Sequence, residues 1–186
     1  MIRLFDIILS LCGLIIFQPL LIILLIFGLF DTGSPLIFQK RVGYKLKNFT
    51  LIKFRTMKID TLELGTHLVD NNKITILGHI LRKFKIDELP QLWNVLVGEM
   101  TIVGPRPCLL NQTELINERI KFGIYNFKPG LTGLSQITGV DMSDPKLLAK
   151  TDYEMIKKIN VYNYLYYILL TIATIFKFKN LKRKKS

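Results

Sequence analysis

The residues best suited to chemistry lie in Ile86-Asp87-Glu88-Leu89-Pro90-Gln91-Leu92-Trp93-Asn94-Val95-Leu96, where two adjacent carboxylates open an apolar run. The pattern predicts a helix that begins at Asp87 and runs to about Val97, with Pro90 in its first turn, where a missing N–H does little harm. A helix N-terminus stabilises negative charge and attracts phosphate. Successive helical residues point about 100° apart, so one carboxylate can attack while the other holds a divalent cation. An ionised Asp attacking phosphorus forms an acyl phosphate and divides one hard displacement into two easier ones. Asp and Glu are also ordinary capping residues, so the pair taken alone admits a purely structural reading.

Phosphoryl chemistry needs cations around the transferring group. Lys53, Arg55, Arg82 and Arg106 are the candidates, because each sits in apolar or Pro-rich sequence rather than in a charge run. Arg106 lies between two prolines (Gly104-Pro105-Arg106-Pro107), on stiff backbone that would pre-organise a phosphate contact. A solvated Arg in a surface turn is the plainer alternative. The chain has no GxxxxGK[ST] loop and no GxGxxG, which leaves NTP hydrolysis and Rossmann chemistry without support. It also lacks the DxD triplet of many metal-dependent nucleotide-sugar glycosyltransferases. Two histidines, His67 and His79, and two cysteines, Cys12 and Cys108, form no zinc-ligand spacing. Both thiols read as small hydrophobes in a reducing compartment.

These groups need elements to position them, and 186 residues suffice for one domain with a real core. There are 26 Lys and Arg against 14 Asp and Glu, a net charge of +12, which suits a polyanionic partner. Hydrophobic residues make up 49 %, more than a soluble nucleic-acid binder carries alongside such charge, and the combination fits a membrane surface better. Residues 7–30 hold 24 positions without a charge, long enough to cross a bilayer as a helix. Gln18-Pro19 at its middle removes a hydrogen bond and favours a bend. The run thus reads either as a span or as a bent helix that enters and leaves on one face. The apolar stretch is too long for a cleavable signal peptide.

After the turn signal Asp31-Thr32-Gly33-Ser34-Pro35, the stretches 36–39 and 49–55 predict a β-hairpin with its basic residues on one side. Seven cations between residues 31 and 60 face only two carboxylates, which places this side in the cytoplasm. Residues 61–73 are polar and loop-like. Helical spacing recurs at Ile76, Leu77, Ile80, Leu81 and Phe84. Residues 111–122 and 146–158 also read as helices, and Pro129-Gly130-Leu131-Thr132-Gly133 as a rigid turn. Val161–Phe176 is apolar and rich in tyrosine, suited to an interfacial helix. Six cations follow (Lys177, Lys179, Lys182, Arg183, Lys184, Lys185), each able to add about 1 kcal/mol of attraction to anionic lipid, unless the tail is simply disordered and solvated.

Read in order, these segments resemble the bacterial sugar transferases, the small monotopic phosphoglycosyl transferases. The matching residues are Arg3-Leu4-Phe5-Asp6; Gly33-Ser34-Pro35 with Phe38-Gln39-Lys40-Arg41-Val42-Gly43; and Lys53-Phe54-Arg55-Thr56-Met57. Then come Ile74-Thr75 with Gly78 and Leu81-Arg82, Asp87-Glu88-Leu89-Pro90-Gln91-Leu92 with Asn94-Val95-Leu96 and Gly98, and Val103-Gly104-Pro105-Arg106-Pro107. Lys128-Pro129-Gly130-Leu131-Thr132-Gly133 with Gln136, and Asp152, complete the series. Any one match is weak; the ordered set is specific.

The resemblance implies transfer of a sugar 1-phosphate from a UDP-sugar to undecaprenyl phosphate, with release of UMP, to initiate a surface polysaccharide such as capsule or O-antigen. Carried over by position, Asp87 would be the nucleophile of a covalent phosphosugar intermediate, and Glu88 would help bind Mg²⁺. Lys53, Arg55, Arg82 and Arg106 would contact phosphates, with Gln136 and Asp152 as further substrate-site residues. The family's N-terminal helix is re-entrant and broken at the position of Pro19, which puts the active site on the cytoplasmic face of the bacterial inner membrane. The expected architecture is α+β and mostly helical: a monotopic membrane protein with a re-entrant hydrophobic helix (1–30), a catalytic domain with a small hairpin (31–160), and an interfacial aromatic helix with a polybasic tail (161–186). Anionic lipid is an expected partner and nucleic acid is not.

Three departures stand out. Gln18 replaces the Ser that often precedes the bending Pro, and its amide could serve the broken backbone. Thr138-Gly139-Val140 stands where many members have Asn-Gly-Arg, so an Arg that would touch the nucleotide sugar is missing and an unusual sugar is expected; an N-acetylated hexosamine or a 6-deoxy derivative fits the family's habits. The chain starts directly at the anchor, without the extra N-terminal spans of larger relatives. Two other readings compete: a non-catalytic, membrane-anchored basic adaptor, and an orthodox glycosyltransferase that releases UDP.

Overall fold

The computed structural model of the chain describes residues 1–59 and 71–183. Helices dominate and the strands form only two small pairs, as the α+β, mostly helical reading expects. Most of the polar stretch 61–73 lies outside the described residues; its end, Asn71–Lys73, forms a 3₁₀ turn.

The charge-free run forms α1 (Ile2–Thr32), a 31-residue helix with Pro19 inside it. Its most apolar 18-residue stretch is only 11 % buried, so a helix long and apolar enough to cross a membrane leaves most of its surface uncovered. Ile15, Ile16, Phe17, Ile22, Ile23 and Phe27 all face outward. That matches a membrane anchor. Gln18 is exposed and makes no hydrogen bond with the described residues, so its amide does not serve the carbonyl that Pro19 leaves unpaired, contrary to expectation.

Both ends of α1 grip the rest of the chain. Near its start, Asp6 is 2 % exposed and accepts hydrogen bonds from Thr101 Oγ1 (2.8 Å), the Ile102 N–H (2.9 Å) and Tyr164 Oη (2.8 Å). Arg3 donates to the carbonyls of Val95 (2.6 Å) and Leu96 (2.8 Å) at a helix C-terminus, where the Val95 carbonyl also accepts from the Gly98 N–H (3.1 Å). Near the other end, Leu24 packs with Phe54 and Leu81, and Thr75 Oγ1 donates to Asp31 Oδ2 at 2.7 Å.

The hairpin forms as the alternation predicts. β1 (Leu36–Val42) pairs antiparallel with β2 (Asn48–Phe54), in a register that sets Ile37 opposite Lys53 and Arg41 opposite Phe49. Arg41 and Lys53 therefore share a face, whereas Lys40 lies on the other and donates to Thr50 Oγ1 (3.0 Å), so the basic residues are not all on one side.

α2 (Ile76–Lys83) is capped by Thr75, whose hydroxyl accepts from the Gly78 N–H at 2.9 Å. A Cβ at Gly78 would lie 2.1 Å from the Thr56 carbonyl oxygen, so glycine lets α2 sit directly on the end of the hairpin. Of the apolar positions that predict α2, only Leu81 is fully buried, and Ile76 and Ile80 face outward.

The carboxylate segment is not one helix from Asp87. Lys85 takes a left-handed φ of 54°, Ile86–Glu88 form a 3₁₀ turn, and α3 proper is Gln91–Val97. The left-handed residue reverses the chain after α2, and the tighter turn that follows carries the carboxylates just ahead of α3. β3 (Thr101–Val103) pairs in parallel with β4 (Gly130–Thr132). The second of these replaces the rigid turn expected at 129–133: a three-residue strand beside a proline has too little pattern to show in the sequence. A Cβ on Gly130 would lie 2.1 Å from the Gly104 nitrogen, so the backbones meet there only because both residues are glycine.

α4 (Thr113–Lys121), α5 (Leu134–Thr138) and α6 (Pro145–Lys157) follow, the last capped by Asp144. α7 (Val161–Arg183) runs 23 residues, past the apolar segment and into the basic one, rather than stopping near Phe176. It buries Tyr164 and Tyr167 and exposes Tyr162, Tyr166 and Leu169. The main core joins Phe49, Leu51, Val95, Met100, Ile102, Met155 and Tyr164.

Asp6 is thus the point at which anchor, central strand pair and C-terminal helix meet. Asp6→Ala should lower stability by about 3 kcal/mol, because it leaves buried donors unpaired. A denaturant midpoint close to wild type, measured on detergent-solubilised protein, would refute this.

Candidate active site

The hairpin, the 3₁₀ turn and the Gly104–Pro107 loop enclose a cavity of about 240 Å³. Lys53, Arg82, Asp87, Glu88 and Arg106 all line it, together with Arg41 and Lys85. Side-chain and backbone contacts position several of them. Asn94 of α3 is 1 % exposed; its Oδ1 accepts from the Ile52 N–H (3.1 Å), and its Nδ2 donates to the Thr50 carbonyl (2.8 Å) and to Glu99 Oε2 (2.7 Å). That fastens α3, and the carboxylates before it, to the strand carrying Lys53. Arg82 Nε donates to Thr56 Oγ1 at 2.9 Å. Arg41 donates to the Pro107 carbonyl at 3.2 Å and to Gln39 Oε1.

The two carboxylates differ in kind. Glu88 Oε1 accepts from Arg106 at 2.7 Å. Burial works against its charge, but Arg106, that hydrogen bond, Lys85 and Lys53 together outweigh it and hold Glu88 below the usual carboxylate range. The same contact raises Arg106. Asp87 accepts no hydrogen bond from the described residues. Burial and the neighbouring Glu88 charge push it up to about 6, with Lys53, Arg82 and Arg106 pulling the other way. Lys53 is lowered to about 8, by burial first and then by Arg41 and Arg106. Near neutral pH the cavity therefore presents an ionised, unencumbered Asp87 beside a paired Glu88 and several cations. Such a group can attack phosphorus while its surroundings neutralise phosphate oxygens.

Among the described residues no three His, Cys, Asp or Glu side chains gather in metal-binding geometry, so the protein offers no closed cage. Mg²⁺ needs none: it is commonly held by one or two carboxylates plus phosphate oxygens and water. Glu88 fits that role through the oxygen that Arg106 leaves free.

Three sequence candidates lie outside this cavity. Arg55 donates from Nε to the Ser34 carbonyl (2.9 Å) and from Nη2 to Ser34 Oγ (3.4 Å), which ties the end of the hairpin to the turn after α1 and replaces the phosphate contact expected of it. Asp152 is fully buried and takes two hydrogen bonds from Arg119, at 2.6 and 3.0 Å, with Ser135 Oγ as a third donor at 3.2 Å. It bears on the cavity only indirectly: Arg119 also donates to the Arg106 carbonyl at 2.8 Å, so the pair seats the Arg106 loop from behind. Gln136 lines a second cavity of about 360 Å³, which shares Lys85 and Arg106 with the first. Sequence reasoning missed Arg41, Lys85 and Arg119. Arg119 stands in a run of polar helical residues that reads as a solvated face.

A family model described as bacterial sugar transferase matches residues 1–178. The chain belongs to the bacterial sugar transferase family. Among its relatives is a UDP-galactose-lipid carrier transferase of Erwinia amylovora, 31 % identical over 94 % of this chain and 40 % of its own length. A UDP-N-acetylgalactosamine-undecaprenyl-phosphate N-acetylgalactosaminephosphotransferase of Aeromonas hydrophila is 29 % identical over 91 % of this chain and 42 % of its own. An undecaprenyl-phosphate galactose phosphotransferase of Salmonella typhimurium is 36 % identical over 74 % of this chain and 32 % of its own. The chain thus spans less than half the length of each of these three curated relatives.

The geometry makes two predictions. Asp152→Ala leaves the Arg119 charge buried and unpaired, and should cost about 3–5 kcal/mol; a substrate contact on the surface would cost almost nothing, so thermal denaturation separates the two roles. Lys53→Met removes a cation that favours ionised Asp87. The Asp87 carboxyl should then titrate above its midpoint of about 6 by carbon-13 NMR, and a downward shift would contradict the charge arrangement.

Proposed function

We propose that the chain transfers a sugar 1-phosphate from a UDP-sugar to undecaprenyl phosphate and releases UMP. One observation carries this reading: Asp87 accepts no hydrogen bond from the described residues, in a cavity that Lys53, Arg82 and Arg106 line with it and where Arg106 occupies its neighbour Glu88. An Asp87 oxygen attacks the β-phosphorus, the bond to the bridging oxygen breaks, and the electron pair leaves with UMP. A phosphate oxygen of the lipid then attacks the same phosphorus and Asp87 departs as a carboxylate. Lys53 and Arg82 stabilise the equatorial oxygens, and Arg106 and Lys85 hold the remainder of the diphosphate. Glu88 would hold Mg²⁺, and the ion would supply further neutralisation of the donor phosphates. The names of the Aeromonas and Salmonella relatives support undecaprenyl phosphate as acceptor.

The reaction belongs at the cytoplasmic face of the inner membrane, where a lipid phosphate and a soluble nucleotide sugar meet. Support comes from α1, whose two ends both grip the catalytic part, as a helix that enters and leaves on one face requires. Exposed Tyr162, Tyr166 and Leu169 of α7, with the cations that follow in sequence, would add attraction to anionic lipid.

Purified, detergent-solubilised protein given Mg²⁺, undecaprenyl phosphate and a panel of UDP-sugars, with N-acetylated and 6-deoxy hexoses beside UDP-galactose, should release UMP only when the lipid phosphate is present. UDP as the product would overturn the reading in favour of ordinary glycosyl transfer. Asp87→Asn should lower turnover at least ~10³-fold while leaving the protein folded and membrane-bound; a fully active Asn variant would sink the covalent mechanism. For topology, a cysteine placed at residue 2 should resist a membrane-impermeant thiol reagent in intact cells and react after permeabilisation. Labelling in intact cells would mean that α1 spans the bilayer.

A further inference from the structure

The second cavity is lined by Ser135 and Gln136 of α5, by Val140 and Met142 of the following turn, and by Leu148 of α6. Its volume, about 360 Å³, falls in the range of small-molecule sites. No residue of α1 lines it, and it meets the carboxylate cavity at Lys85 and Arg106. Ser135 Oγ lies 3.0 Å from Gln136 Oε1 and 3.2 Å from Asp152 Oδ1, so its one proton is shared between the amide and the buried carboxylate. The other end of the amide, Gln136 Nε2, is buried and has no hydrogen-bond partner among the described residues. Buried donors are almost always satisfied, so an orphan in a cavity wall marks the place of a ligand acceptor. Val140, Met142 and the buried Leu148 supply the apolar part of the lining, with Asp141 between the first two in sequence.

Resting on the transferase reading above, we propose that this cavity receives the nucleoside half of the donor. Gln136 Nε2 donates to a carbonyl of the nucleobase, and the apolar wall lies against the ring. The reaction geometry favours this half over the sugar. In an in-line displacement the attacking and leaving oxygens lie on opposite sides of phosphorus. With Asp87 attacking from the first cavity, the leaving nucleotide points away from it, past the two cations shared by both cavities. The sugar stays with the phosphorus and departs on the lipid, so it remains beside Asp87. Val140, at a position where many members carry Arg, completes the apolar wall with Met142 and Leu148.

Equilibrium binding to the full chain in detergent tests the site without turnover, with UMP and a hexose 1-phosphate as separate probes. Gln136→Glu keeps the side-chain shape and removes the donor. It should weaken UMP at least tenfold and leave the sugar 1-phosphate unchanged, and with an active donor it should raise KM while kcat changes less than twofold. Val140→Trp, which narrows the cavity, should weaken UMP as well. Unchanged UMP affinity in both folded variants overturns the site, and so does loss of the sugar 1-phosphate alone, which would give the cavity to the sugar. A wild-type chain that binds UMP through Gln136 but transfers nothing would keep the site and overturn only the transferase reading.

Discussion

The hydrogen-bonded ion pair between Glu88 and Arg106, 2.7 Å long, is the contact on which the rest of the site depends. Two adjacent carboxylates in a half-buried cavity cannot both stay ionised without compensation, because burial and mutual repulsion both favour protonation. Arg106 resolves this by pairing with one of them, so the other is left charged and uncommitted. The pairing also joins the turn before α3 to the loop after β3 and so defines the boundary between the two cavities. Behind it, Arg119 reaches the Arg106 carbonyl and is itself held by Asp152, so a line of charged groups runs from the cavity into the core. A buried pair of that sort contributes little net stability in general; here it holds the Arg106 loop in place.

The groups around Asp87 come from separate parts of the chain, and small polar or backbone features hold them in register. Asn94 fastens α3 to β2 with its amide, and Thr56 receives both the Arg82 guanidinium and the close approach of α2 at Gly78. Gly104 and Gly130 let two backbones meet where any side chain would collide. None of these residues carries the chemistry, yet each sets a distance on which it relies.

The membrane anchor is part of this framework rather than an appendage. Asp6 and Arg3 bind the ends of β3 and α3, and Leu24 packs beneath the hairpin, so the helix that meets lipid is coupled to the elements that carry Asp87 and Lys53. That coupling suits the proposed reaction, in which one substrate arrives from the bilayer and the other from water. The relatives named for lipid-carrier and undecaprenyl-phosphate transfer share most of this chain's length.

The sequence by itself determined the long apolar helix, the hairpin, the helices at 76–84, 111–122 and 146–158, and the nomination of Asp87, Glu88, Lys53, Arg82 and Arg106. Those features rest on hydrophobic periodicity and on unusual residues in unusual contexts, which are local properties. Only the tertiary structure decided what each charge is for. Arg55 and Asp152 look like site residues in sequence, but one closes a turn and the other neutralises a buried arginine. Arg119, Arg41 and Lys85 look like surface cations, yet they support or line the cavities. The strand pair β3–β4 joins Thr101 to Gly130, far apart in the chain. A side chain's role depends on its partners and its exposure to water, and those are set only when distant segments pack together.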